Sequence, residues 1–270
     1  MLLGIAASGN DEMGIAKGPS AAEVLRIARA AEQEEESTDP ADYGTVGGTA
    51  SQPKTAGLFD FLDPRHILRL FTVQQMKDRA GKVGANGVRA LLYDLLSKST
   101  AKLHLIGHSY GAKVVLSAVG FGGPPPRPVQ SILLLQPAVS HLCFADNVPV
   151  SNKPGGYHAV RQRVAASIMS TFSAHDFPLR KTFHLALRRE DDLGEARIAG
   201  DDVPSKYAAL GGYGPKGAGE VKIKALDVNQ QYALQANGKI HAIESHHAIE
   251  GHGDISNRWT WWALYSQTLQ

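Results

Sequence analysis

The segment Gly107-His-Ser-Tyr-Gly111 is the part of this sequence whose residue types and spacing most directly indicate chemistry. It has the G-x-S-x-G pattern, in which a serine lies on a tight turn between a strand and a helix. Leu103-His-Leu-Ile106 predicts the strand, and Ala112 to Val119 predicts the helix. The two glycines are expected to avoid the clash that a Cβ atom would make in this turn. We therefore predict that Ser109 is a nucleophile and that the Tyr110 N–H, at the helix N-terminus, donates to a developing oxyanion.

A serine hydroxyl becomes a good nucleophile when a base accepts its proton, and histidine is suited to this role. Four histidines lie late in the chain: His241, His246, His247 and His252. We predict that His252 is the base, because Glu250-Gly-His-Gly-Asp254 forms a glycine-rich turn before the last predicted helix. The pair His246-His247 is the second choice, and a polar surface loop is its alternative interpretation. His104, inside a strand, and His108, inside the turn, are interpreted as structural.

A carboxylate is needed to hold the tautomer of the base and to stabilise its charged form. Ser167-Ile-Met-Ser-Thr-Phe172 predicts a strand that ends just before Ser173-Ala-His-Asp176. We therefore predict that Asp176 is this acid. Asp146, near the end of the preceding strand, is the reserve candidate, whereas the pair Asp191-Asp192 lies in a charged stretch and is interpreted as solvated.

With these motifs in this order, the chain resembles the α/β-hydrolase superfamily of serine esterases and lipases over residues 60–270. In that superfamily the nucleophile, the acid and the histidine follow one another along the chain in the same order. The resemblance implies that Ser109 is the nucleophile, that Asp176 orients the imidazole, and that His252 acts first as general base and then as general acid. It also implies a small-molecule ester substrate and an acyl-enzyme intermediate. This chemistry requires no cofactor, and no metal site stands out in the sequence.

The elements that position these side chains alternate between strands and helices, which predicts a mostly parallel α/β sheet with flanking helices. Ile132-Leu-Leu-Leu135 lies between breakers, as expected of a strand buried on both faces. The last predicted strands are Val221 to Leu226 and Lys239 to Ile243. Asn237-Gly238 predicts a hairpin turn between Tyr232-Ala-Leu234 and the second of these strands. A final helix, from about Ile255 to Leu269, carries three tryptophans that are interpreted as packing residues.

Two further segments carry expectations. A second helix is predicted over Val88 to Ser97, with four leucines on one face: Leu91, Leu92, Leu95 and Leu96. The segment Gly211-Gly-Tyr-Gly214 lacks the context of a phosphate-binding loop, and we interpret it as part of a mobile loop over residues 200–219.

The N-terminal part departs from the hydrolase pattern, because only Met1 to Ser8 could form a strand before the elbow strand. We predict a helical and loop segment over residues 1–60, a cap or lid, and an α/β-hydrolase-like core over residues 61–270 that lacks the first strands. Gly47-Gly48 is the candidate for a second oxyanion donor. The open sheet edge predicts a homo-oligomer, or an edge covered by residues 1–60.

Composition excludes several classes of protein. The 270 residues include 28 basic and 26 acidic side chains, so the net charge of +2 gives no electrostatic footprint for nucleic acid or for an anionic membrane. Cys143 is the single cysteine, which excludes an internal disulfide and a cysteine-based zinc site. No stretch reaches the ~20 apolar residues of a membrane helix, and MLLGIAASGN lacks the basic residues of a secretory signal. The sequence predicts a soluble cytoplasmic protein.

The leading functional interpretation is a serine hydrolase of the carboxylesterase or lipase kind. An acyltransferase, a thioesterase or an amidase would use the same triad, and the sequence does not separate them. A non-catalytic hydrolase-like protein that binds a ligand or partner is the alternative from another class, and the shortened N-terminal half favours it. Against it, a binding protein has no need to keep a serine, an aspartate and a histidine in this order.

Overall fold

The computed structural model of the protein describes residues 76–149, 152–183 and 208–269. The predicted segment over residues 1–60, Gly47-Gly48 and the pair Asp191-Asp192 lie outside these ranges. The strands are β1 (His104–His108), β2 (Ser131–Leu135), β3 (Ser167–Phe172), β4 (Val221–Lys224) and β5 (Lys239–Glu244). Four α-helices have both ends in the described ranges: α1 (Arg89–Lys98), α2 (Tyr110–Gly120), α3 (Leu210–Tyr213) and α4 (Arg258–Thr268). Residues 76–82 are helical as well. A 3₁₀ helix covers His158–Arg163, and π-helical turns cover Val83–Val88 and Pro178–Thr182.

The five strands form one sheet in the order β1-β2-β3-β5-β4, and each neighbouring pair is parallel. The structure therefore has the α/β class that the alternation of strands and helices predicts. The predicted hairpin is wrong. Asn237 and Gly238 have the positive φ angles of a tight turn, 59° and 64°, but Tyr232 to Leu234 form no strand that could pair with β5. The N–H groups of Asn237 and Gly238 instead donate to the carbonyls of Ala165 and Ala166, just before β3. The dipeptide specifies the local backbone, whereas the sheet decides which strands pair.

The side chains of β2 show why its sequence is an unbroken apolar run. Ile132 and Leu134 belong to one buried cluster, which includes Leu116 of α2. The alternate residues, Leu133 and Leu135, belong to a second buried cluster on the other face, which includes side chains of α4. Because side chains of a strand alternate between its two faces, a strand covered on both faces favours an unbroken apolar run such as Ile132 to Leu135.

The core covers only part of the apolar face of α1 and of α4. In α1, Leu92 and Leu96 are buried against the first cluster, whereas Leu91 and Leu95 are 61% and 43% exposed. The leucine face that the sequence predicts for α1 is therefore wider than its buried stripe, since neighbouring residues on a helix point about 100° apart. Two of the three tryptophans of α4 pack against the second cluster, and Trp261 is exposed.

The interpretation of Gly211-Gly-Tyr-Gly214 as a mobile loop is also wrong. Leu210–Tyr213 forms the short helix α3, and the two glycines inside it are buried. The N–H of Gly211 donates to the carbonyl of Pro137 over 3.0 Å. A Cβ atom on Gly211 would lie 2.5 Å from the carbonyl carbon of Gln136, so glycine permits the close approach of the two backbones. This contact places α3 directly against the segment that follows β2.

Candidate active site

Ser109 lies on a strained turn between β1 and α2. Its backbone has φ 53° and ψ −124°, a conformation that residues with a side chain rarely adopt. Three backbone hydrogen bonds hold it there: its N–H donates to Leu135, and its carbonyl accepts from the N–H groups of Ala112 and Ala138. Strain of this kind persists where the surroundings fix it, and it is typical of a nucleophile elbow.

The two glycines of the elbow have different roles. A Cβ atom on Gly107 would lie 2.7 Å from the N and Cα atoms of Ala112, closer than real Cβ contacts. A Cβ atom on Gly111 would meet no atom within 4 Å. The expectation that both positions exclude a Cβ atom therefore holds for Gly107 and is wrong for Gly111, because the close approach of strand and helix occurs at the end of the strand.

His252 joins the predicted nucleophile to the predicted acid. Its Nε2 atom lies 2.8 Å from Oγ of Ser109, and its Nδ1 atom lies 2.8 Å from Oδ2 of Asp176. A carboxylate accepts hydrogen bonds, so the partners assign the proton to Nδ1 and leave Nε2 to accept the proton of the serine hydroxyl. Both distances lie within hydrogen-bond reach, which is the geometric condition for a nucleophile, its base and an orienting acid.

The carboxylate of Asp176 is fully buried, whereas the side chain of His252 is 26% exposed. Two further donors surround this carboxylate: the N–H of Leu179 donates to Oδ1, and the Nε2 of Gln136 donates to Oδ2. A buried carboxylate is costly unless donors satisfy it, and here both oxygens have one. The carboxylate of Asp176 is therefore fixed inside the protein, and the imidazole of His252 reaches the surface.

The parallel sheet explains why residues so distant in sequence meet. Asp176 follows β3, and His252 follows β5, which lies beside β3 and parallel to it. Both loops therefore begin at the carboxyl ends of neighbouring strands. The hydroxyl of Ser173 donates to the carbonyl of Ile249, which ties the two loops together. Crevices outside the carboxyl ends of parallel strands are the usual place for ligand sites in open α/β sheets.

The second-choice histidines, His246 and His247, have contacts other than Ser109 and Asp176. His246 accepts a hydrogen bond at Nδ1 from the N–H of Ala174, and burial lowers the pKa of its imidazole. The ring of His247 packs edge-on against Trp259 at a centroid distance of 5.8 Å. Since the structure places His252 against Ser109, it brings together the first-choice base and not the second-choice pair.

Asp146, the reserve acid, faces solvent. Its side chain is 64% exposed and accepts hydrogen bonds from Arg161 and His158. The hydrogen bond from Arg161 holds the pKa of this carboxyl below its usual range. Asp146 therefore has partners of its own and lies outside the Ser109–His252–Asp176 chain of hydrogen bonds.

Two residues contact this chain of hydrogen bonds without having been predicted to do so. His108, interpreted as structural, lies 2.9 Å through Nε2 from the carbonyl of His252, and the two rings are 5.0 Å apart. Gln136 contacts Asp176 through its side-chain amide. The sequence carries one signal for Gln136, namely a polar residue directly after a buried strand, and no signal for the partner of His108.

Tyr110 is the first residue of α2, as the elbow predicts, so its N–H belongs to the end of the helix that favours anions. Its side chain packs against an apolar cluster that includes Ala138 and Leu179. The role of the Tyr110 N–H as an oxyanion donor stays a prediction.

Comparisons with protein-family models, with curated proteins and with solved structures found no match to this chain. Among the residues that the structure describes, no cluster of three or more histidine, cysteine, aspartate or glutamate side chains could hold a metal ion. No helix in the described ranges is long and apolar enough to cross a membrane.

Proposed function

We propose that this protein is a serine hydrolase that cleaves carboxylic esters through an acyl-enzyme intermediate. The observation that carries the proposal is the continuous chain of hydrogen bonds from Ser109 through His252 to Asp176. The strained elbow beneath the serine is a second support. A strained backbone costs free energy and persists where the surroundings fix it, which is typical of functional sites.

In the proposed reaction, Oγ of Ser109 attacks the ester carbonyl carbon while Nε2 of His252 takes the hydroxyl proton. The resulting oxyanion accepts a hydrogen bond from the N–H of Tyr110. His252 then gives its proton to the departing alcohol, which leaves an acyl group on the serine. A water molecule attacks this acyl carbon as His252 takes its proton, and the acid leaves as Ser109 regains a hydrogen. Asp176 accepts from Nδ1 throughout and stabilises the charged imidazole.

The test combines a fluorophosphonate probe, which labels activated serines, with turnover of a short-chain aryl ester. Ser109→Ala should abolish labelling and lower kcat by on the order of 10⁴–10⁶, since the nucleophile and its base act as a unit. Ser97→Ala is the matched control, because Ser97 is an exposed serine of α1 whose hydroxyl donates to Tyr93. Labelling or turnover that survives in Ser109→Ala would place the chemistry elsewhere.

The acyl group and the acceptor need separate measurements. Rates on an aryl ester, a thioester and an anilide with the same acyl group rank the three bonds directly. Adding an alcohol acceptor to the ester reaction distinguishes hydrolysis from transfer, because a transferase gives a new ester in place of the acid. We expect the ester to be the best substrate and water to be the acceptor.

A further inference from the structure

Gln136, the residue directly after β2, is fully buried, and its side-chain amide contacts the acid of the site. Its Nε2 atom donates to Oδ2 of Asp176 over 2.8 Å. This is the same oxygen that accepts from Nδ1 of His252, also over 2.8 Å. A single carboxylate oxygen thus receives one donor from the base and one from Gln136.

Thr171 of β3 fixes which end of the amide faces the carboxylate. The Thr171 hydroxyl accepts a hydrogen bond from the backbone N–H of Gln136 over 2.9 Å and donates to its Oε1 over 3.0 Å. The Nε2 of Gln136 then faces two acceptors, Oδ2 of Asp176 and the carbonyl of Gly211. The reverse orientation would point the amide oxygen at two other oxygens, so the network assigns the donor to the carboxylate.

The backbone of Gln136 is a second, independent observation. Its φ is 42°, in the region that residues with a side chain rarely adopt. In the part of the chain that the structure describes, the other non-glycine residues with positive φ are Ser109 and three asparagines, and asparagine tolerates this region. Gln136 therefore shares with the predicted nucleophile a conformation that clusters at functional sites.

We propose that Gln136 is a positioning residue, which holds the carboxylate of Asp176 where Oδ2 accepts from His252; this role rests on the proposed serine-hydrolase function. The N–H of Leu179 holds the other oxygen, Oδ1. Without the amide, the carboxylate keeps one fixed oxygen and gains freedom to rotate about its Cβ–Cγ bond. A rotated carboxylate holds the imidazole in a poor orientation for accepting the proton of Ser109, although its negative charge stays beside the ring.

Gln136→Met tests this role, because methionine keeps the length of the side chain and removes the donor. The kcat for an aryl ester should fall by about 10- to 100-fold, the effect of a catalytic group displaced by a fraction of an ångström to one ångström. The KM should change little, since Gln136 acts through Asp176. The pH at which kcat/KM is half-maximal should rise, because a carboxylate with fewer donors stabilises the charged imidazole more strongly.

Gln267→Met is the matched control, because Gln267 is also a buried amide that contacts β2 and β3. Its Nε2 donates to the carbonyls of Ile132 and Ser167, at the opposite end of these strands from the site. The same substitution there should lower the Tm while leaving kcat and the pH midpoint as in the unsubstituted protein. Gln136→Asn replaces Gln136→Met in the test if the methionine variant does not fold. Asparagine tolerates positive φ, and its side chain is one methylene shorter, so its amide does not reach Asp176.

Proton NMR separates this proposal from the proposed function. The proton between Nδ1 of His252 and Oδ2 of Asp176 should resonate far downfield, and both Gln136 variants should shift or broaden it. If the unsubstituted protein neither takes the probe nor cleaves esters, the proposed function fails, and the resonance still tests the positioning role. The inference would be overturned if the Gln136 variants kept the resonance, the kcat and the pH midpoint of the unsubstituted protein. It would also be overturned if their kcat fell by no more than that of Gln267→Met.

Discussion

His252 is the side chain on which the proposed chemistry depends most, because its two ring nitrogens contact Ser109 and Asp176 separately. His252→Ala should reduce ester turnover to the residual level of Ser109→Ala, since the two residues act as a unit. The kcat/KM of the unsubstituted protein should fall along one ionisation as the pH decreases, because a protonated imidazole cannot accept the serine proton. A pH series of initial rates with an aryl ester measures both expectations.

His246→Ala and His247→Ala are the controls for this prediction. The ring of His246 accepts from Ala174, and that of His247 packs on Trp259, so neither ring contacts Ser109 in this structure. Both variants should keep most of the activity. If one of them were inactive and His252→Ala active, the base would be misassigned.

Asp176 gives the second prediction at this scale. Asp176→Asn places an amide where Nδ1 of His252 needs an acceptor, and the amide's NH₂ group favours the wrong tautomer of the imidazole. We expect kcat to fall by up to ~10⁴, with the Tm close to that of the unsubstituted protein. Asp146→Asn is the control, because Asp146 is exposed and bonded to Arg161, and it should leave kcat unchanged. A damaging Asp146→Asn with a mild Asp176→Asn would reverse the assignment.

At the scale of elements, the junction of β1 and α2 makes opposite predictions for its two glycines. Gly107→Ala should cost stability and activity together, since its Cβ atom would lie 2.7 Å from the backbone of Ala112. Gly111→Ala should keep the activity and raise stability by up to about 1 kcal/mol, because alanine is a better helix former than glycine and the site is open. Thermal unfolding and ester turnover of the two variants check the contrast, and equal losses would contradict it.

The sequence predicts well those elements whose own run of side chains indicates that they are buried. The apolar run before Gln136 and the run from Ser167 to Phe172 predict β2 and β3 closely, because a strand buried on both faces carries apolar side chains or small hydroxyl side chains and no charged ones. The loops that carry Asp176 and His252 are predictable for the same reason, since each follows a predicted strand.

The elements that the sequence predicts poorly depend on partners distant in the chain. The glycines around Gly211 indicate a loop until Pro137 and Gln136 pack against them. Asn237-Gly238 indicates a hairpin, but its N–H groups bond to Ala165 and Ala166, about 70 residues earlier, and β5 pairs with β3. The amide of Gln136 reaches Asp176, 40 residues away, and no local pattern encodes that contact.

At the scale of the whole molecule, His141 predicts that stability depends on pH. Burial, with a smaller contribution from Lys216, lowers the pKa of its imidazole to about 4, against 6.5 for an ordinary histidine. Among the described residues neither ring nitrogen has a hydrogen-bond partner. The unfolded chain therefore binds a proton that the folded protein does not, and stability should fall by about 3 kcal/mol as the pH decreases from 6.5 to 4.

Urea unfolding at several pH values measures this dependence. His141→Leu should make the dependence shallower, because the substitution removes the histidine whose pKa is lowered to about 4. A smaller dependence should remain, because burial also lowers the pKa of His104, His241 and His246. His175→Gln is the control, because His175 is exposed. An unchanged slope in His141→Leu would contradict the prediction.

The edge of the sheet gives a prediction about assembly. Within the described ranges β1 pairs with β2 alone, and Ile106 on β1 is 45% exposed. An open strand edge with apolar side chains favours pairing with another chain. We expect a mass in light scattering that increases with concentration and that Ile106→Lys lowers. A monomer at all concentrations would favour the alternative, in which residues 1–60 cover this edge.

The order of the strands has a consequence for how the site is made during folding. Ser109, Gln136, Asp176 and His252 follow β1, β2, β3 and β5, which are consecutive neighbours across the sheet. The hydrogen bond between Ser109 and His252 spans 143 residues of the chain. Contacts between such distant residues form slowly, because closing a long loop costs chain entropy before the contacts lower the free energy. Under the proposed mechanism, a partly folded chain in which β1 to β3 have assembled holds Ser109 and Asp176 without His252, and we expect ester turnover only after β5 docks against β3.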